Sequence, residues 1–258
     1  FTRPDGSLTP ARAVASTWPY DFGSEAPAPA ATNSGLYGID IRDSTLDLGA
    51  GTFRAAGYSQ TGVGIRIGAS PFSETAVRID AGRIDLFGVG ETVASDGSTG
   101  VRIMGDTTLT ATQGLRIEGS GHVGVQIDGG ARVALNAAAG SGAKFEIVGY
   151  GGFGNGVALY ADYDTGEGNV PGRGSRITVD NGSLAVQANS VTEAGLVMQN
   201  LSGAPGPLLD LAGATSALFE VPASTAGRFG STSMWLSDVD LALPTAGSTR
   251  FSGNLGID

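Results

Sequence analysis

Between Gly100 and Asn136 the chain repeats one short phrase. Gly100-Val-Arg-Ile103, Gly114-Leu-Arg-Ile117 and Gly124-Val-Gln-Ile127 each open on glycine and continue apolar, polar, apolar. A period of two sends each aliphatic pair to one face of a strand and Arg102, Arg116 or Gln126 to the other. Each phrase closes within a few residues at a glycine-containing turn. Strands this short bury no complete face alone. They need like neighbours stacked on them, which is the logic of a repeat protein.

The phrase extends beyond this stretch. Gly38-Ile-Asp-Ile41 and Gly64-Ile-Arg-Ile67 precede it, and Gly156-Val-Ala-Leu159 follows. A second strand type alternates with it, opened by Ser, Thr or Ala-Arg, as in Ser44–Leu48, Arg83–Leu86, Ser175–Val179 and Ser183–Val186. A meander or sandwich calls for two-residue Asn-Gly or Asp-Gly hairpins, and those are few. No segment of helical length shows a 3.6-residue period, and 43 glycines argue against long helices. The pattern predicts an all-β chain: a right-handed, single-stranded parallel β-helix (a solenoid) of roughly nine coils over residues 36–258, with about two dozen residues per completed turn. Its core is expected to hold Ile103, Leu115, Ile117, Val125, Ile127, Val133 and Leu135.

Residues 1–35 differ. Pro4, Pro10, Pro19, Pro27 and Pro29 fall here, and proline removes backbone donors. This stretch reads as an arm or cap, with Trp18, Tyr20 and Phe22 available to cover the first coil.

Charge and composition narrow the function classes. The formal net charge is −10 and Lys144 is the sole lysine. Without a basic stripe to offset phosphate repulsion, no nucleic-acid partner is expected. The chain has no cysteine, hence neither disulfides nor thiolate zinc sites. No window approaches 18 consecutive apolar residues, so no transmembrane helix is expected. The first residues show no charged-then-apolar leader; an exported chain would have lost it already.

Chemistry-bearing residues are sparse. The single histidine, His122, lies in Gly119-Ser-Gly-His-Val and reads as a turn residue, which leaves no His-based triad without it. Paired carboxylates could serve a glycosidase. Asp80 and Asp85, and likewise Asp40, Asp43 and Asp47, read instead as solvated outer-face positions. Asp162-Tyr-Asp164 begins like a calcium loop, but Glu167 stands where the loop's turn needs glycine. Thr108, Thr110 and Thr112 form one polar rank on a strand. No metal or other cofactor is expected.

The stretch Gly124-Val-Gln-Ile-Asp-Gly-Gly-Ala-Arg-Val-Ala-Leu135 resembles a coil of the pertactin-like autotransporter passenger domains. Gly156-Val-Ala-Leu-Tyr160 and Ser233-Met-Trp-Leu236 with Gly247-Ser-Thr-Arg-Phe251 are similar to other strands of that family. The resemblance covers about residues 36–258. It implies a non-catalytic adhesin, exported through the periplasm and outer membrane by a translocator barrel lying outside this sequence, and displayed on the bacterial surface. It implies attachment to a host-cell protein or glycan, or to another copy of the chain. The family's Arg-Gly-Asp motif and proline-rich repeats are missing. The alternative reading is a β-helical polysaccharide-degrading enzyme.

The segment Gly149–Gly174 breaks the strand rhythm on both sides of Gly156-Val-Ala-Leu159. It concentrates aromatic rings in a chain that is only 7% aromatic. The expected binding surface is Tyr150, Phe153, Tyr160 and Tyr163, with an acidic rim of Asp162, Asp164 and Glu167 and the cation Arg173.

Overall fold

In the computed structural model the described residues are 36–68, 76–91, 98–160, 174–200, 208–222 and 233–257. The arm expected at residues 1–35 lies outside them. The described residues form twenty β-strands and no helix. One sheet has eight strands, in the order β1 (Tyr37–Ile41), β4 (Val63–Gly68), β6 (Thr99–Met104), β8 (Val123–Asp128), β11 (Val157–Tyr160), β14 (Leu196–Gln199), β17 (Met234–Ser237) and β20 (Leu255–Ile257). The second has twelve. They are β2 (Thr45–Asp47), β3 (Thr52–Tyr58), β5 (Val77–Val89), β7 (Thr107–Gly121), β9 (Arg132–Asn136), β10 (Lys144–Gly151), β12 (Arg176–Asp180), β13 (Ser183–Ser190), β15 (Leu208–Asp210), β16 (Ser216–Glu220), β18 (Asp240–Ala242) and β19 (Ser248–Ser252).

The described strand pairs are all parallel. The chain passes through the first sheet, then twice through the second, and returns. The sequence suggests two alternating strand types, whereas each return holds three strand segments. Two of them fuse in β5 and in β7, where one long strand carries both. The register slips between Ala81 and Arg83, so the strand turns without breaking. Returns are uneven: Val101 pairs with Val125, 24 residues on, but Val157 pairs with Leu196, 39 residues on. Against the nine coils expected, the eight-stranded sheet gives eight ranks among the described residues.

Side chains stack in register. Ile65, Val101, Val125, Val157, Leu196 and Met234 succeed one another across the eight-stranded sheet and are all buried. Across the second sheet Leu86, Ile117, Ile147, Val186 and Phe219 do the same. All seven core positions expected from sequence lie in this interior. Each fully buried Leu or Ile contributes roughly 1.5–3 kcal/mol relative to exposure, so stacking rather than strand propensity holds the sheets together.

The glycine phrase has a physical cause at one corner. Gly57, Gly88, Gly119 and Gly149 form a rank at the ends of β3, β5, β7 and β10. Facing them are Gly64, Gly100, Gly124 and Gly156, which open the strands of the other sheet. A Cβ on Gly124 would lie 2.3 Å from the Tyr150 nitrogen and 2.4 Å from the Gly156 oxygen. One on Gly119 would lie 2.1 Å from the Gly124 oxygen. The two backbones meet too closely for any side chain. Gly114 repeats the phrase in sequence but belongs to β7, in the other sheet. The nearest atoms to its Cβ would be 3.7 Å away.

Candidate functional site

Among the described residues, the candidate groups Tyr150, Phe153 and Tyr160 sit at this same corner, where β10 crosses to β11. Tyr150, near the end of β10, is in register with Ser120 on one side and Asn189 on the other. It is buried, and burial pushes its phenol from 10.0 up to about 12. The neutral phenol is the form the fold favours, so its contribution is complete below pH 10 and is lost as pH rises towards 12. Tyrosine absorbance is expected to show one ring ionising near pH 12, and Tyr150→Phe should abolish that component.

Phe153 is the exposed ring of the group, with 46% of its surface open. The chain braces it from both neighbouring ranks. On one side the Gly154 nitrogen donates to the His122 carbonyl at 2.7 Å, and the His122 and Phe153 rings lie 6.4 Å apart at 17°. On the other, the Thr192 hydroxyl donates to the Phe153 carbonyl and the Ser190 hydroxyl to the Gly154 carbonyl, both at 2.7 Å. Ser190 Oγ also accepts from the Glu193 nitrogen at 2.9 Å, which tightens the turn that follows β13. Val191, 39% exposed, lies in the neighbouring rank, where its nitrogen donates to the Gly151 carbonyl at 3.1 Å. Asn155 Nδ2 donates to the Tyr160 hydroxyl at 3.1 Å and so ties the loop to the far end of β11. Ser120 Oγ, His122 Nδ1 and Asn155 Oδ1 are buried at this corner with no hydrogen-bond partner among the described residues.

The structure therefore links Phe153 to Tyr160 through Asn155 and places Tyr150 beneath the surface. Asp162, Tyr163, Asp164, Glu167 and Arg173 lie outside the described residues, as does the calcium-like stretch that begins at Asp162. Sequence reading missed His122 as a ring partner and Ser190 and Thr192 as braces. No local signal marks them, because they come from neighbouring ranks. His122 does occupy a bend, between β7 and β8, as expected.

The acids offered as glycosidase candidates are engaged elsewhere. Asp80 and Asp85 share the single strand β5. Arg78 pairs with Asp80, and Arg83 Nε donates to both oxygens of Asp85 at 2.9 Å. The hydrogen bond to Asp85 raises the Arg83 guanidinium above its ordinary value. Asp85 is only 8% exposed, so it is not the solvated residue expected. It belongs to a rank of alternating sign, Arg54, Asp85, Arg116 and Glu146, running across β3, β5, β7 and β10. Phe87 lies under the guanidinium groups of both Arg54 and Arg116, at 5.3 and 5.8 Å. Opposite charges facing across strands contribute roughly 0.2–1 kcal/mol per pair, a stabilising role for these carboxylates. Asp40, Asp43 and Asp47 are exposed, as expected.

Comparison with protein-family models, with curated proteins and with solved structures finds no match for this chain.

Proposed function

We propose that the chain is a right-handed parallel β-helical passenger domain of the pertactin-like autotransporter type, displayed on a bacterial surface and acting by attachment rather than catalysis. The observation that carries the reading is the braced, solvent-facing Phe153 at a corner of stacked parallel sheets. A ring fixed by hydrogen bonds from two neighbouring ranks offers contact area at low entropic cost, as recognition surfaces do. The variable returns support the same reading, since stacked ranks carry the fold and leave the connections free for contacts. Arg pairing of the sheet-face acids supports a stabilising use of those groups. The partner is a host-cell protein or glycan, or a second copy of the chain.

The test pairs attachment with stability. Bacteria or beads displaying the chain should adhere to host cells or matrix, or clump. Phe153→Ala combined with His122→Ala should lower that attachment several-fold while melting moves little. Attachment that ignores these changes removes the corner from the site. Release of reducing sugar or unsaturated product from a polysaccharide, lost in Asp85→Asn, would replace the proposal with the enzyme reading.

A further inference from the structure

The rank of alternating sign has a neighbour on the same outer face. Two residues before Asp85, Arg116 and Glu146 stand Arg83, Gly114 and Lys144. Arg83 is in register with Gly114, and Leu115 with Phe145, which sets Lys144 beside Gly114 on the other side. Across β5, β7 and β10 one rank therefore runs Arg, Gly, Lys and the next runs Asp, Arg, Glu. Charge alternates in both directions at every position but one. At position 114 the alternation calls for an acid, and the chain supplies no side chain.

The backbone does not ask for glycine there. Gly114 has no positive φ, and the atom nearest to a Cβ on it would be Arg83 Nη1 at 3.7 Å, an ordinary contact distance. Three cations are its closest charged neighbours: Arg83 and Lys144 on the flanking strands and Arg116 two residues along its own. Asp85 and Glu146 stand on the diagonals, further away, and Glu118 lies beyond Arg116. Those acids are engaged. Arg83 Nε donates to both oxygens of Asp85, while Arg116 Nη2 donates to Glu118 at 2.6 Å and Arg116 Nη1 lies 4.0 Å from Glu146. Lys144 is exposed and makes no ion pair with the described residues.

We propose that position 114 receives one anionic group, a carboxylate or sulfate, from an acidic glycan. The choice of a glycan rests on the attachment reading above and narrows it to acidic sugars. Lys144 Nζ and Arg83 Nη1 would donate charge-assisted hydrogen bonds to the anion, and Arg116 would add its charge. The exposed groups nearby, on Thr52, Thr112 and Gln113, are hydroxyls and an amide, which suit the hydroxyls of a sugar ring. A protein partner would call for an apolar anchor. Among the described residues, none of the large exposed apolar side chains is on β5, β7 or β10.

Lys144 is the sole lysine, so lysine-selective isotope labelling of the full chain gives one side-chain signal, at the site itself. Titration with a hyaluronan hexasaccharide, which carries a carboxylate on alternate sugars, should move that signal. Chitohexaose, of the same length without carboxylates, should not. By calorimetry Lys144→Ala should weaken hyaluronan binding about fivefold and leave melting unchanged. Gly114→Asp lets the chain supply the missing acid. It should weaken binding by at least about tenfold and melt above Gly114→Asn, which fills the same space without charge. Equal binding of chitohexaose overturns the proposal, and so does hyaluronan binding that ignores both Lys144→Ala and Gly114→Asp. Inorganic sulfate bound as tightly as the hexasaccharide overturns the glycan. The two readings fail separately. Attachment that falls in the Phe153 variant but survives Lys144→Ala and Gly114→Asp overturns this site alone. Hyaluronan binding at position 114 by a chain that attaches to no cell or matrix overturns the attachment reading alone.

Discussion

Gly124→Ala should destabilise the chain by on the order of 3 kcal/mol or more, whereas Gly114→Ala should be neutral or stabilising by about 0.4–1 kcal/mol. Both glycines open the same glycine-apolar-polar-apolar phrase, so local sequence predicts equal effects. The corner separates them. A methyl group on Gly124 would press on backbone atoms alone: the Tyr150 nitrogen at 2.3 Å, the Gly156 oxygen at 2.4 Å and the Gly149 carbonyl carbon at 2.8 Å. No rotamer change relieves a clash with backbone, so the two sheets would have to part. At Gly114 the nearest neighbours of the methyl would be Arg83 at 3.7 Å and the Lys144 oxygen at 3.8 Å, an ordinary contact distance. There the substitution removes freedom from the unfolded chain. Denaturant melts of the two variants beside the parent decide the matter. Equal losses would mean that the corner is not the reason for the glycine phrase.

Ile117→Asp is expected to cost several kcal/mol at neutral pH. Ile117 is fully buried, stacked between Leu86 and Ile147 in the same rank. The change removes aliphatic packing and strands a carboxylate away from water. Burial would raise the folded-state pKa of that carboxyl above its unfolded value. Part of the loss should therefore be recovered at pH below the ordinary aspartate range and deepen as pH rises. Ile117→Asn, which cannot ionise, should show no such acid recovery. A variant that melts like the parent would place position 117 on the outer face, against the register.

The positions of these substitutions mark what local sequence carries. Alternation along Leu115-Arg-Ile117 and Val125-Gln-Ile127 is a property of each strand, so the inward faces were legible from spacing alone. Whether a glycine sits where two backbones cross is set by residues some 25 positions away, as Tyr150 is from Gly124. Gly114 and Gly124 are therefore alike in sequence and unlike in space. The same limit governs the candidate site. Aromatic density marked the segment around Phe153, but it could not separate the buried Tyr150 from the exposed Phe153. Nor could it find the braces from Ser190 and Thr192, which register brings from the next rank. The fusion of two strand segments in β5 and β7 was hidden too, because a bend taken through a register slip leaves no break in composition.

The uneven spacing of the ranks bears on how such a chain can change over generations. Met234 meets its partner Leu255 after 21 residues, and Val157 meets Leu196 after 39. Closing a flexible connection costs free energy that grows only with the logarithm of its length. Nearly doubling the separation adds about 0.6 kcal/mol, less than one buried aliphatic side chain contributes. New peptide can thus be spliced into a crossing without dismantling the ranks on either side, while the glycine corner tolerates no addition at all. Such a chain is free to diversify its margins and bound to keep its frame.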